Sequence, residues 1–338
     1  MIIIFIFLII FLCFYLLNIV VKKEYYENYQ GILTPDFYNE IDKKKYIIDK
    51  DNRTVTYNGK TISYNKHFNS DESIINAKNK FITSEQLSKY NIPIPLYLKI
   101  DLSSNIDDIR NKIKNANISY PVVIKPINGT FGIDVMTDIE TKEELTDCLN
   151  VLKTKYKDAM LEEQISGDCY RIFVFNNNII DVIKREKPYV IGDNINTIKE
   201  LIDLRNIEQK KMDLMEVKNI SNIVIKKQGY DLDSIPSINE KIYISNVINM
   251  HNGARISRIP VESIPQKNID LFLKVNKIMK IKCSGLDFLS NDITIEYDQN
   301  NGRILEVNGT PDTEIHQKIK NYNFFEKIVN SIFHSNET

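Results

Sequence analysis

Between Ser73 and Val307 the chain alternates runs that have helical spacing of apolar residues with short apolar runs bounded by turn residues. Helices and strands that follow one another in this way indicate a mixed α+β fold, because each element must cover its apolar face against another. The predicted helices span Ser73–Tyr90, Ile106–Asn115, Lys142–Leu152, Thr197–Lys210 and Ile269–Met279, and the predicted strands span Leu96–Ile100, Val122–Ile124, Ala159–Glu162, Tyr170–Phe175, Ile179–Lys184, Asp292–Tyr297 and Arg303–Val307.

The N-terminal run Met1–Val21 is apolar apart from Tyr15 and Asn18. Its length and composition predict a helix that spans a bilayer. A secretory signal peptide would begin with basic residues and end in a small-residue cleavage site, and neither is present; a buried core helix is the remaining alternative. Because Lys22 and Lys23 follow the run directly, the positive-inside rule predicts a single-pass membrane protein whose later residues lie in the cytosol.

The remaining chain divides by composition near residue 70. Residues 22–70 are polar and predict a stalk or small N-terminal cap, with a hairpin where Thr54–Tyr57 and Thr61–Tyr64 flank Asn58-Gly59. Residues 71–335 form the predicted main domain. The chain has 44 Lys and Arg against 45 Asp and Glu, so its charge gives no field that would attract nucleic acid. Its four cysteines lack the spacing of a zinc site or disulfide framework, which favours reduced thiols.

The first motif of chemical interest is a lysine at the end of an apolar strand, followed by a glycine-containing loop. The stretch Tyr120–Val135 runs through Val122–Ile124 into Lys125 and then into a loop with Gly129 and Gly132. An ammonium group neutralises phosphate charge, and glycines let backbone N–H groups approach a ligand closely, so the motif is typical of a phosphate clamp. An exposed lysine followed by an ordinary turn would give the same pattern.

Paired acids form the second motif, in the stretch Met160–Gly167, where apolar residues lead into Glu162 and Glu163. A carboxylate at a strand end can accept hydrogen bonds from an adenine amino group or a ribose hydroxyl. Two glutamates at a solvated strand end are the plainer alternative.

Oxygen-bearing side chains on two apolar strands form the third motif. Asp287 lies in Gly285–Asp292, and Glu306 and Asn308 follow Ile304-Leu305. Strand alternation places Glu306 and Asn308 on one face, and an apolar strand seldom turns oxygen atoms inward unless they coordinate something. Mg²⁺ binds a few carboxylates together with phosphate oxygens and water, so these three residues predict a Mg²⁺ site. The alternative is a solvent-exposed face.

Taken together, these motifs resemble the ATP-grasp superfamily, and most closely the ATP-grasp domains of cyanophycin synthetase and of bifunctional glutathione synthetase. The resemblance covers Lys80 to His316 and implies the ATP-grasp fold, in which two α+β lobes clasp ATP. The stretches that carry it are Asn79-Lys80 with Ile92–Pro95, Tyr120–Val135, Leu161–Phe175, Lys184-Arg185 with Tyr189–Asp193, Gln228–Pro236, Gly285–Asp292 and Ile304–His316.

The resemblance also implies a role for each matching residue. Lys80 and Lys125 would bind the nucleotide phosphates, residues 129–132 would form the phosphate lid, and Arg185 would steady the phosphate being transferred. The residues expected to contact the nucleotide are Lys80, Lys125, Gly129, Thr130, Gly132, Glu162, Glu163 and Ile165. The expected ligands of Mg²⁺, or of Mn²⁺ in its place, are Asp287, Glu306 and Asn308.

The activity implied by the resemblance is ATP-dependent joining of a carboxylate to an amine through an acylphosphate, with release of ADP and phosphate. The substrates would be small molecules such as amino acids or peptides, and the relatives suggest a homo-oligomer. A protein or peptide terminus as substrate, or a nucleotide-binding scaffold without turnover, are the alternatives. The modules that accompany this domain in the relatives are missing from this sequence, so the products of those two enzymes are not predicted for this chain.

Some positions depart from the family pattern. The segment Asn249–Arg255 keeps Gly253 but lacks the Ser-Thr-Gly-Gly loop of the relatives, which leaves the acceptor substrate open. Cys169 stands where relatives carry an acid or another polar residue near the ribose. Isolated histidines such as His251 are usually surface or capping groups, whereas His316 matches a family histidine and is a candidate support for the metal site.

Overall fold

The computed structural model describes residues 45–49, 52, 54–63, 68–129, 132–211, 216–217, 220–246, 248, 253–317 and 323–333. It divides into a smaller unit, residues 1–68 with 325–338, and a larger unit, residues 69–324. Within the described ranges no helix is both long and apolar enough to cross a bilayer. The predicted span Met1–Val21 lies outside those ranges.

The smaller unit contains a three-stranded antiparallel sheet, in the order β1 (Ile47–Asp49), β2 (Thr54–Tyr57) and β3 (Lys60–Ser63). Asn58 and Gly59 join β2 to β3 with positive φ angles of 48° and 76°. This backbone is the one that a two-residue hairpin turn requires, so the predicted hairpin is confirmed.

The first sheet of the larger unit is antiparallel and has the strand order β4-β7-β5-β6. Two helices, α3 and α4, follow its strands in the chain and share a core with them that includes Ile109, Ile124 and Leu145. Helix α4 begins at a capping box in which Thr141 and Glu144 satisfy each other's backbone N–H groups. The elements are β4 (Tyr97–Asp101), α3 (Ile106–Asn115), β5 (Val122–Pro126), β6 (Met136–Ile139), α4 (Lys142–Lys153) and β7 (Asp158–Glu163).

The second sheet has five antiparallel strands in the order β12-β9-β8-β13-β14. Helix α7 covers one face, where the rings of Phe272 and Phe288 meet edge to face at 5.1 Å. The other face is left for polar side chains, because strand alternation sends successive residues to opposite sides. The elements are β8 (Asp168–Phe175), β9 (Asn178–Glu186), β12 (Arg255–Ile259), α7 (Gln266–Met279), β13 (Cys283–Ser290) and β14 (Arg303–Asn308).

Two helices replace the single one predicted over Ser73–Tyr90. Helix α1 (Asp71–Lys78) and helix α2 (Lys80–Lys89) are separated by Asn79, whose backbone is extended. The Asn79 side chain accepts a hydrogen bond from the Ile82 N–H and so caps the second helix. The prediction of one helix was therefore wrong. The helical spacing of apolar residues continues past Asn79, but Asn79 ends the first helix and caps the second.

A strand predicted over Asp292–Tyr297 is also absent, since these residues form turns. Asp292 accepts hydrogen bonds from the N–H and hydroxyl of Thr294, and the Asn268 side chain accepts one from the Tyr297 N–H. Side-chain acceptors thus satisfy the backbone here in place of a neighbouring strand. The strand that continues the sheet is the preceding one, β13.

An insertion between β9 and β12 forms its own small core around Val190, Ile202 and Ile242. It contains an antiparallel two-stranded ribbon, β10 (Tyr189–Ile191) with β11 (Lys241–Tyr243), and the helices α5 (Ile198–Lys211) and α6 (Asn222–Lys227). The chain ends its described part with α8 (Glu314–Gln317) and α9 (Phe324–Phe333).

Candidate active site

The oxygen-bearing residues predicted for Mg²⁺ lie on neighbouring strands at paired positions. Asp287 of β13 stands opposite Glu306 of β14, and Gly285 stands opposite Asn308. A bulge follows, since Phe288 pairs with Ile304 and leaves Leu305 without a partner position. The three side chains therefore share the face of the sheet that α7 does not cover.

Two arginines contact the same oxygen of Asp287. Nη2 of Arg185 lies 2.8 Å and Nε of Arg171 lies 3.1 Å from Oδ1. Arg171 is on β8, the neighbour of β13, directly opposite Asp287, and Arg185 is on β9, one strand further out, opposite Cys169. Burial raises the pKa of Asp287, but the charges of Arg171 and Arg185 lower it more, so the net pKa lies below its ordinary value. Asp287 is therefore a buried carboxylate held in its charged form.

Arg171 was not predicted to be a site residue. The residue lies in Tyr170–Phe175, which was correctly predicted as a strand, but nothing in its spacing distinguishes it from an exposed arginine. Its role appears only from the pairing of β8 with β13, which also lets its Nη1 donate to the Gly285 carbonyl at 3.0 Å. A Cβ at Gly285 would lie 2.5 Å from that Nη1, so the glycine leaves the room that Arg171 fills.

Lys80 joins the glycine loop to β14. It is the first residue of α2, and its Nζ donates to the Gly129 carbonyl at 2.7 Å and lies 3.2 Å from Oε1 of Glu306. The isolated bridge between Asn79 and Asn128 holds the two segments side by side. The helix break at Asn79 is thus what points the lysine into the site.

A second lysine is paired with a second acid in the first sheet. Nζ of Lys125 lies 2.6 Å from Oε2 of Glu162, and both side chains are buried. A buried lysine needs such a partner, because an unpaired charge in the interior is strongly unfavourable. Glu163 instead accepts the Leu96 N–H at 2.9 Å, which ties β7 to the start of β4. Ile165 is half-buried just after β7.

The phosphate-lid residues are only partly described. Gly129 is half-buried and accepts from Lys80, while Gly132 is exposed and has a positive φ of 70°. Thr130 lies outside the described residues, as do Asn249–Asn252 of the altered acceptor segment, including His251.

Cys169 lies beneath Arg185. The Nη2 of Arg185 donates to Sγ of Cys169 at 3.0 Å, and burial raises the pKa of the thiol above its ordinary value. A neutral, buried thiol of this kind supports the arginine by contact and is not an exposed polar group beside a ribose.

The donor set fits a hard divalent cation. Asp287 supplies a buried, charged carboxylate, and its Oδ1 is paired with Arg171 and Arg185. Asn308 uses its amide nitrogen to donate to the Gly285 carbonyl at 3.3 Å, which leaves the oxygen as its ligand atom. The described residues contain no cluster of three or more His, Cys, Asp or Glu side chains suited to a metal. Two carboxylates and an amide match the sparse protein shell that Mg²⁺ prefers.

His316 does not contact the metal-ligand residues. It is fully buried, its Nδ1 lies 2.8 Å from Oδ2 of Asp181, and Arg258 binds both Asp181 and the His316 carbonyl. Its ring stacks on Phe324 at 4.9 Å. This network fastens the segment that follows β14 to β9 and β12, which carry Asp181 and Arg258.

We expect the buried state of His316 to make the protein less stable in mild acid. Burial lowers the pKa of His316 below its ordinary value, and the bond to Asp181 only partly opposes this. Below the unfolded-state pKa of about 6.5, the unfolded chain therefore binds a proton that the folded chain does not, and the free energy of unfolding falls. The loss from Asp181, whose pKa is also lowered, begins below about pH 3.9.

Urea unfolding of the full chain between pH 7.5 and pH 5 measures this effect. In His316→Asn the free energy of unfolding should be lower at pH 7.5 but change less with pH. An equal slope in both proteins would contradict the assignment.

Residues 77–231 match the family model of the RimK-like ATP-grasp domain. The chain is 28% identical over 243 residues to the cyanophycin synthetase of Synechocystis sp., an alignment that covers 69% of this chain and 27% of that protein. It is 26% identical over 279 residues to the glutathione biosynthesis bifunctional protein of Clostridium perfringens, covering 78% of this chain and 35% of that protein. The chain thus spans about a quarter to a third of the length of these relatives.

Among solved structures, the chain is similar to a bifunctional glutathione synthetase from Pasteurella multocida. The TM-score is 0.57 at 20% identity, and the match covers 86% of this chain and 41% of that one. At this identity the likeness shows a shared fold.

Proposed function

We propose that this chain, whose residues 77–231 match the RimK-like ATP-grasp domain, is a member of the ATP-grasp superfamily and acts as a carboxylate–amine ligase. It would form an amide or peptide bond with release of ADP and phosphate. One observation carries the proposal: three cations contact two carboxylates on one face of the second sheet. Lys80 contacts Glu306, and both Arg171 and Arg185 contact Asp287. Such a row of cations and oxygen ligands suits a nucleotide's phosphates.

ATP-grasp ligases use ATP and Mg²⁺, as the resemblance implied. In this chain Asp287, Glu306 and Asn308 would hold Mg²⁺, which supplies positive charge to the phosphate oxygens when bound. Lys80 and Lys125 would exchange their partners Glu306 and Glu162 for phosphate oxygens. These pairs hold the two lysines in position before the nucleotide arrives.

The reaction would have two steps. In the first, a carboxylate oxygen of the substrate attacks the γ-phosphorus of ATP, and the bond from that phosphorus to the β-phosphate oxygen breaks, which gives an acylphosphate and ADP. In the second, an amine nitrogen attacks the acyl carbon, the carbon–oxygen bond to phosphate breaks, and the nitrogen loses a proton. Arg185 and Arg171 would stabilise the charge of the transferring group, so no protein nucleophile is needed.

ADP release tests this proposal. The full chain, purified in detergent, is supplied with ATP, Mg²⁺ and a panel of amino acids and short peptides, singly and in pairs. Release that requires one carboxylate and one amine supports the ligase. Nucleotide binding without release for any pair would favour a protein terminus as substrate or a scaffold without turnover.

We also propose that Met1–Val21 anchors the protein in a membrane with the ligase domain in the cytosol. The uniform apolar character of this run and the lysines that follow it support the anchor. The full chain should stay with the membrane fraction after alkaline extraction, and a variant without these residues should not. Extraction of the full chain into the supernatant would rule out the anchor.

A further inference from the structure

A chain of polar side chains links the insertion to the first sheet and to the segment that follows β7. Nζ of Lys187, two residues before β10, donates to Oδ1 of Asn246 at 3.0 Å, and Nδ2 of Asn246 donates to Oδ2 of Asp138 at 2.9 Å. Asp138 lies on β6, and its Oδ1 accepts a hydrogen bond from Nε2 of Gln164 at 2.8 Å. We call Asp138, Gln164, Lys187 and Asn246 the polar bridge.

The backbone of Asp138 is irregular and is held by the same glutamine. A register shift between β5 and β6 gives β6 one residue more than its partner. Asp138 has a φ of 58°, a left-handed conformation that aspartate adopts more readily than most residues. Its N–H donates to Oε1 of Gln164 at 2.6 Å. Gln164 therefore binds both the backbone and the side chain of Asp138, as a partner strand would bind only the first.

The carboxylate of Asp138 is the acceptor on which the polar bridge depends. It accepts hydrogen bonds from three side chains, because the Thr137 hydroxyl also donates to Oδ2, at 2.7 Å. Burial raises the pKa of Asp138, but the hydrogen bonds from Thr137 and Gln164 lower it. The charges of Lys187 and Lys227 lower it further, so the net pKa lies below its ordinary value. An amide of the same shape could not replace this carboxylate, because its nitrogen can only donate.

Gln164 lies within the segment that is expected to contact the nucleotide. Its neighbours Glu162, Glu163 and Ile165 are the residues to which that contact is assigned. Glu163 accepts the Leu96 N–H at 2.9 Å, so the segment is tied to β4 on one side and, through Gln164, to β6 on the other. A binding segment held in this way by side chains behind it is already in place before a ligand arrives.

A second contact between the insertion and the first sheet is separate from the polar bridge. Nζ of Lys227, at the end of α6, lies 3.2 Å from Oε1 of Glu140, and both side chains are more than half exposed. Within the described ranges neither of them forms a hydrogen bond to Gln164. Docking of the insertion on the first sheet can therefore be weakened without changing the support of Gln164.

We propose that Asp138 is a positioning residue for the nucleotide, which holds the segment Glu162–Ile165 through the polar bridge in the conformation that binds ATP. This inference rests on the proposed function, because it takes that segment as the nucleotide contact. Asn246 extends the same role to the insertion. Since the bridge holds the binding segment and not the reacting groups, it should change the affinity for ATP and leave the chemical step alone.

Exchange of two side chains within the bridge tests the inference. Asp138→Asn turns an amide nitrogen towards the donors of Gln164 or Asn246, and Asn246→Asp places a second carboxylate against Asp138. Each single variant should bind a non-hydrolysable ATP analogue about 10-fold more weakly, measured by calorimetry on the full chain in detergent with Mg²⁺. The double variant again brings one carboxylate and one amide into contact, so it should recover most of the affinity.

Glu140→Gln is the matched control, because it weakens the exposed contact with Lys227 and leaves the bridge intact. Its dissociation constant for the analogue should stay within about 2-fold of the unchanged protein. In ADP release, the two single variants should raise KM for ATP and leave kcat nearly unchanged. Circular dichroism on each preparation checks that the variants are folded.

The outcomes separate this inference from the proposed function. Unchanged affinity in both single variants, no recovery in the double variant, or an equal loss in Glu140→Gln would overturn the inference. ADP release whose KM for ATP does not respond to the bridge variants keeps the ligase and rejects the role of Asp138. Analogue binding that depends on the bridge, without release for any pair of substrates, keeps that role and rejects the ligase.

Discussion

Glu306→Gln is expected to lower ADP release at least about 100-fold while the protein stays folded. The substitution keeps the shape of the side chain but removes the charge that Lys80 contacts and that a divalent cation would require. The fold should survive, because the Glu306 side chain is 30% exposed and Lys80 keeps its bond to the Gly129 carbonyl. Activity and circular dichroism measured on the same preparation check both halves of the prediction.

A surface acid provides the control for Glu306. Glu296 contacts the exposed Lys267 at 3.0 Å, so Glu296→Gln removes the same charge far from any catalytic role and should keep ADP release. A folded Glu306→Gln with normal turnover would refute the assignment of this strand to the metal.

The sequence was sufficient to predict the strands that carry Lys125, Glu162 and Glu306, but not β13, which carries Asp287. Glu306 and Asn308 share a face while Val307 is buried, as alternation requires. The ATP-grasp fold that the resemblance implied is confirmed, because both the domain match and the structural likeness point to it. A periodic pattern and a motif in it are local properties, so a single sequence reveals them.

Long-range pairing could not be read in the same way. Arg171 enters the site because β8 lies beside β13, although the two strands are separated by more than 100 residues in the chain. Lys80 enters it because Asn79 ends one helix and caps the next, which the continuous apolar spacing concealed. The wrong prediction of a strand at Asp292–Tyr297 has the same origin. The sequence alternates as a strand would, but backbone N–H groups of this segment donate to side chains and not to a neighbouring strand.

Asp287→Asn is expected to lower the free energy of unfolding by about 3 kcal/mol, measured by urea unfolding without Mg²⁺. Removing an acid from a cluster of metal ligands usually relieves repulsion and so stabilises the metal-free protein. Here the sign should be the opposite, because Arg171 and Arg185 both depend on Asp287 for their charge balance. The variant would leave two largely buried guanidinium groups facing a neutral amide.

Asp298→Asn is the matched control for that experiment. Asp298 forms an ion pair with Lys267 in an exposed position, and pairs of this kind contribute at most about 1 kcal/mol. A higher free energy of unfolding for Asp287→Asn than for the unchanged protein would contradict the prediction. It would mean that the two arginines do not need Asp287 as a partner in the metal-free protein. A loss confined to Asp287→Asn would instead show that both arginines depend on Asp287 in the free protein, so that any cation held by Asp287 would share its carboxylate with Arg171 and Arg185.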